Sequence, residues 1–408
     1  MNFAPVEWPS RRRQEIVSNP RGAAAVAAAA AAALSLLAPG TALADRHRGD
    51  DGYTTNCPAA ESLVSGTTWH THQLAPGVTL REGRHKDAGG YVDMHVLDVA
   101  VTNRHVRMAP LVHRLAQRSP LTNLATHRKG LVAATNTGYF DYDAGTPLGP
   151  VIDGDQPWVS SSAGATVVGF SRAGLVQAGH IALAGRVVGG TSTEPLAGLN
   201  TAQPANGLTA YTSRWGRAPV SLPRDAVTRY VTNGRMSAGT GQFDAAPSAT
   251  GYLLVARGNA AVSWLRNLPA AVPAQVSTRV TSNTKHPFAQ AYAVGARLVH
   301  KGVARTGMEC RRRYPQPART AIGFADGGKQ LILAVIADQP GAPMHGLDAD
   351  QAARLMHDLG ATEAYLFDGS GSTEMLAKLP SATALSMRNF PADGVERPMP
   401  VGLGIFTH

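Results

Sequence analysis

The chain has 408 residues, of which 44% are hydrophobic and 16% charged, and a formal net charge of +10. That length is sufficient for one large domain or two modest ones. No nucleic-acid motif accompanies the basic excess, and neither paired Cys nor Cys/His spacing of a zinc site is present, so no nucleic-acid partner, metal or cofactor is expected.

Residues 1–44 read as an export signal. Arg11, Arg12 and Arg13 form a basic start, residues 23–37 are an apolar run, and Ala42-Leu43-Ala44 is a small-residue cleavage site. A twin-arginine route is disfavoured by Gln14 and Glu15, which stand where apolar residues are wanted. The rival reading is an uncleaved anchor. The alanine-rich run is shorter than the roughly 20 residues a span needs, so no stable membrane span is expected after cleavage. The mature chain would carry about +8, densest at Arg311-Arg312-Arg313. Such a charge is either a solvated basic surface or an attraction for an anionic wall polymer. Cys57 and Cys310 are an even pair in a chain read as exported, which points to a disulfide between them.

Residues 45–66 open polar and glycine-containing and read as a flexible mature start, before a domain over 67–408. From Thr67 the pattern turns β-like, and along residues 91–101 Val92, Met94, Val96 and Asp98 share one face. His70 and His72 also share a strand face, but a third ligand is missing nearby. Residues 111–128 read as partly helical, stopped at Gly130. A buried strand over 130–136 then delivers Asn136-Thr137-Gly138-Tyr139-Phe140. Asp141 to Gly145 reads as a turn, since it lacks the later ligands of a calcium loop. Short strands over 147–154, 166–170, 208–211, 227–231, 252–256 and 276–280, separated by Gly, Pro, Ser and Thr, predict antiparallel β structure.

The last third is the most legible. Residues 319–324 form a strand, Asp326-Gly327-Gly328-Lys329 a hairpin turn, and 330–337 the returning strand, ending at Asp338. Asp348 and Gln351 spell a capping box. Ala352, Leu355, Met356 and Leu359 then fall on one helical face, and Gly360 stops the helix. Residues 364–367 form a further strand that ends in Asp368. The fold class predicted is α+β: β-rich mixed sheets with a strand–helix–strand crossover near the C-terminus. Such a crossover puts Asp338 and Asp368 at carboxyl ends of parallel strands, and the hairpin returns Arg319 to the same edge. Ligands favour such edges, although an Arg–Asp ion pair tying the sheet would look alike. The turn Gly369-Ser370-Gly371-Ser372 behind Asp368 has the composition of an anion-binding nest.

Three blocks together resemble the phosphodiester glycosidases. They are Asn136-Thr137-Gly138-Tyr139-Phe140 with the later Gly149 and Asp153-Gly154, Arg319-Thr320-Ala321-Ile322-Gly323, and Asp368-Gly369-Ser370-Gly371-Ser372. Order and spacing agree over residues 69–406. Thr137 and Ser370 depart from the family's glycines, and Gln339 follows Asp338 where the family has glycine. The resemblance implies hydrolysis of a glycosyl-phosphodiester at the C1–O bond, giving free sugar and a phosphomonoester. It implies catalytic roles for Asp368, Arg319, Asn136 and Asp338, and substrate contacts from Gly138, Thr320 and residues 369–372. Arg319 would grip phosphate with paired donors, and Asp368 would activate water or stabilise an oxocarbenium-like centre. Two other classes stay open: a non-catalytic envelope binder with the same pocket, and a serine hydrolase built on Ser370 or Ser372. Neither serine lies in Gly-x-Ser-x-Gly, which counts against the latter.

Overall fold

The structure, a computed structural model, describes residues 60–241, 246–247, 249–309, 316–339 and 343–408. The export segment, Cys57, Cys310 and the Arg311–Arg313 run lie outside the described residues. Within them the fold is β-rich and sparse in helix, with sheets of eight, thirteen and five strands.

The eight-stranded sheet carries the candidate chemistry. Its third strand, Gly90–Ala100, is buried on both faces, with Val92, Met94 and Val96 on one and Leu97 and Val99 on the other. Val92, Met94 and Val96 pack with Ala352, Leu355 and Met356 of the Ala349–Asp358 helix. Leu97 and Val99 pack the other way, against Ala133, Leu403 and Ile405 of the five-stranded sheet. Burial of this many branched side chains supplies the main cohesion, at about 25 cal/mol per Å² of apolar surface. The helix starts as its sequence dictates: Asp348 accepts from Gln351 N at 2.8 Å and Gln351 Oε1 accepts from Asp348 N at 3.0 Å.

One expectation is narrowed and two change. Residues 111–128 are helical only in part, as expected: the Val106–Leu111 strand runs into loop, Pro120 follows, and a single turn covers Leu121–Ala125. Proline at that point fixes φ and admits a helix only after it. The region expected to be purely antiparallel contains one parallel pair, Ser192–Leu199 beside Gly207–Thr212. It also holds an unexpected helix, Asn259–Asn267, which buries Ala261 and Leu265 against the adjoining strands.

Candidate active site

The Arg319–Ala325 strand lies between Gln330–Ile336 and Glu363–Leu366, antiparallel to both. The two flanking strands therefore point the same way. Arg319 pairs with Ile336, which places Asp338 two residues past that pair. On the other side the pairing continues beyond Leu366: Phe367 N donates to Thr320 O at 2.9 Å and Ser370 N to Ala318 O at 2.8 Å. Asp368 is thereby drawn alongside Arg319. Gly369 is needed here, because a Cβ would stand 2.9 Å from Ala318 O. Arg319, Asp338 and Asp368 thus share one end of the sheet.

Asn136 joins them from the five-stranded sheet, at the end of the Leu131–Asn136 strand. Its Nδ2 donates to Asp368 O at 2.7 Å. Its Oδ1 accepts from Thr320 Oγ1 at 2.7 Å and from Glu374 N at 3.3 Å. Asn136 and Thr320 are both buried. Their side chains face each other and not solvent, so they tie two sheets and the Asp368 loop together, a different task from touching a sugar. Gly138 is likewise a packing residue, since a Cβ there would stand 2.5 Å from Ala293 O.

The 369–372 turn is not an open cradle of donors. Gly369 N donates to Asp368 Oδ1 at 2.9 Å, Ser370 N to Ala318 O, and Ser372 N to Gly369 O at 3.1 Å. Ser370 sits at φ 52°, where a glycine would be unstrained, as in the family pattern. The cation beside this turn is one that sequence reasoning missed, Arg397. Its Nη1 donates to Ser372 Oγ at 3.3 Å, and its ion pair with Asp393 leaves no room for a Cβ on Gly371. Arg319 is not a free phosphate fork either. Its Nε donates to Leu347 O at 3.0 Å and its Nη2 to Glu309 Oε2 at 2.7 Å, leaving Nη1 outside these bonds.

Three carboxyls surround the loop, in different environments. Asp368 is half-buried and holds the Gly369 N–H. Burial pushes the Asp338 carboxyl above the usual aspartate range, against the opposing pull of the Ala318 N–H and of His345. Its Oδ1 is buried and without a hydrogen-bond partner. Such a group favours the protonated form. Glu374, the third, is fully buried and was not singled out in the sequence; its only signal is a carboxylate set between Thr373 and the apolar Met375–Ala377 strand. Burial raises it to about 8, with Glu396 adding to the shift and the Arg397 N–H opposing it.

Glu374 makes stability depend on pH in a definite sense. The folded carboxyl holds its proton up to about 8, whereas the unfolded one releases it near 4.5. Its contribution is therefore complete below about 4.5 and is lost as pH rises towards 8. Glu374→Gln should unfold at nearly the same denaturant concentration at pH 5 and pH 8, whereas wild type should be weaker at pH 8. Equal slopes for both proteins would place the proton elsewhere.

Among the described residues, no group of three or more His, Cys, Asp or Glu is arranged to hold a metal ion. No helix there is long and apolar enough to cross a membrane.

A model of the phosphodiester glycosidases matches residues 226–406, a little under half of the chain. That stretch resembles a phosphodiester glycosidase. It holds Arg319, Asp338, the whole Asp368–Glu374 loop and Arg397, while Asn136 precedes it. No curated protein matches the chain in sequence.

Two solved structures share the fold. A hypothetical protein from Synechocystis is 19% identical with a TM-score of 0.65, the alignment covering 84% of this chain and 64% of that one. The chain thus spans less than two thirds of that protein's length. A Burkholderia pseudomallei protein described as exported is 18% identical with a TM-score of 0.62, over 78% and 74% of the two chains. The catalytic domain of zebrafish N-acetylglucosamine-1-phosphodiester α-N-acetylglucosaminidase, auto-inhibited by its pro-peptide, aligns over 86% of this chain and 87% of its own at 17% identity, with a TM-score of 0.43.

Proposed function

We propose that this protein hydrolyses glycosyl-1-phosphodiesters at the C1–O bond, releasing a free sugar and a phosphomonoester. The observation that carries the reading is the meeting of Asp338, Asp368 and Arg319 at one sheet end, inside the stretch that matches phosphodiester glycosidases. Two carboxyls in unlike environments suit acid–base work on an acetal-like bond. Asp368, half-buried beside Arg319, activates water or steadies positive charge at C1. Asp338, held towards its protonated form, stands where it can donate to the departing phosphate oxygen. Arg319 Nη1 and Arg397 supply the positive charge that a phosphodiester needs close by.

The test is release of sugar from a panel of α- and β-linked chromogenic sugar-1-phosphodiesters. Turnover of at least one, abolished by neither chelators nor dialysis, supports the reading. Turnover of none, with tight binding of the same compounds, makes the protein an envelope binder instead.

The basic, apolar and small-residue order of residues 1–44 supports an exported enzyme that meets extracellular or envelope glycopolymers, with a mature start at Asp45 and a Cys57–Cys310 bond. Intact mass of protein recovered from the medium checks both features together. It should match a chain starting at Asp45, lighter by two hydrogens before reduction than after. A mass beginning at Met1, or unchanged by reductant, contradicts the corresponding feature.

A further inference from the structure

A cleft of about 670 Å³ opens beside the candidate active site. Its volume is in the range of sites that take small organic ligands. One wall is the 141–148 turn that follows the Asn136 strand, where Asp141 accepts from Asp143 N at 2.9 Å and Ala144 N at 2.7 Å. The other wall runs over residues 201–203 and 218–223. The floor is rigid: Tyr211 and Trp215 meet edge to face at 4.9 Å, Tyr211 OH donates to Thr201 O, and Trp215 Nε1 donates to Ala218 O at 3.1 Å. Gln203 is anchored on the same floor through Tyr211 OH.

Two features say what could enter. The cleft is lined by two carboxylates, Asp141 and Asp143, and by no Lys or Arg, in a protein with a strong basic excess. An anion would meet negative charge on the lining itself, since the nearest cations, Arg118 on Tyr142 O and Arg397 over the Tyr142 ring, are not among the lining residues. Around the carboxylates stand Gln203, Ser221 and Thr146 together with apolar surface from Leu148 and Trp215. Hydrogen-bonding groups beside apolar surface match a neutral sugar, which carries hydroxyls on its rim and C–H bonds on its faces.

A second feature links the cleft to the chemistry. Tyr142, flanked in sequence by Asp141 and Asp143, lies under the Arg397 guanidinium at 5.1 Å from its ring centroid, and Arg397 also holds Ser372 of the Asp368 loop. Two side chains, Tyr142 and Arg397, thus connect the 141–148 wall of the cleft with the Asp368 loop.

We propose that this cleft is a subsite for a neutral glycan portion of the substrate, separate from the sugar-phosphate position. The proposal deepens the phosphodiester glycosidase reading and rests on it for the word substrate; binding in the cleft can be measured without any turnover. Ala202 and Ser221 are both exposed on the wall opposite the 141–148 turn. Ala202→Trp and Ser221→Trp fill the space without removing an internal bond of the floor.

Saturation-transfer NMR and calorimetry on the full protein with neutral tetrasaccharides (chitotetraose, cellotetraose, maltotetraose and mannotetraose), alongside the anionic tetragalacturonate, decide the matter. We expect at least one neutral tetrasaccharide to bind, tetragalacturonate not to, and each Trp variant to weaken binding at least tenfold. Both variants should keep their melting temperature and their turnover of a small chromogenic sugar-1-phosphodiester. No binding by any neutral member, equal binding by both variants, or preference for tetragalacturonate overturns the subsite. Binding as expected from a protein that turns over no sugar phosphodiester keeps the cleft as a glycan site and removes the catalytic reading instead.

Discussion

Asp368→Asn is expected to lower turnover of a sugar-1-phosphodiester at least ~100-fold, the usual loss when an acid–base group is removed. The fold should survive the change. The scaffold uses the backbone of Asp368, whose N–H donates to Thr137 O and whose carbonyl accepts from Asn136. The bond from Gly369 N to Oδ1 can be kept by the amide oxygen of asparagine. Charge is therefore lost with little change of shape. A melting temperature within a few degrees of wild type, with activity gone, is the predicted pair of results. Full activity in the variant would move the chemistry to Asp338 or elsewhere while leaving the reaction class intact.

Asn136→Ala should do the opposite, acting first on stability. Its amide accepts from Thr320 and Glu374 and donates to Asp368, all at a buried junction of two sheets. Truncation leaves a buried hydroxyl, an N–H and a carbonyl without that partner. Unsatisfied buried polar groups cost roughly 1–3 kcal/mol each, so a loss on the order of 3 kcal/mol is expected after partial relaxation. Asn136→Asp should cost at least as much, because it replaces the donor facing Asp368 O with an acceptor and buries a charge. The urea midpoint at fixed m-value reads both effects. A midpoint unchanged from wild type would show that the amide does not hold the junction.

What could be read from the residues was what lies close along the chain. The hairpin turn at 326–329 sets Arg319 against Ile336, and the capped helix returns the chain so that Asp368 arrives on the other side of Arg319. The Ala349–Asp358 helix was legible because its cap, apolar stripe and stop agree. Long-range pairing lies outside such local reasoning: the resemblance implies a catalytic role for Asn136 and a substrate contact for Thr320, and in the fold each completes the other's hydrogen bonds across 184 positions of sequence.

Distance in sequence also hid Arg397 and Glu374. Nothing near Arg397 says that it will lie against Gly371, and only the packing around Glu374 reveals it as a buried acid. The parallel pair at Ser192–Leu199 and the Asn259–Asn267 helix escaped for a related reason. Tertiary contacts decide such elements more than propensity does.

The proposed bond cleavage can be tested directly by hydrolysis of a sugar-1-phosphodiester in water enriched in oxygen-18, with both products weighed by mass spectrometry. Cleavage at C1–O puts the heavy oxygen into the free sugar and leaves the phosphomonoester unlabelled, which is the result expected here. Heavy oxygen in the phosphomonoester and none in the sugar would mean attack at phosphorus, and would contradict a glycosidase.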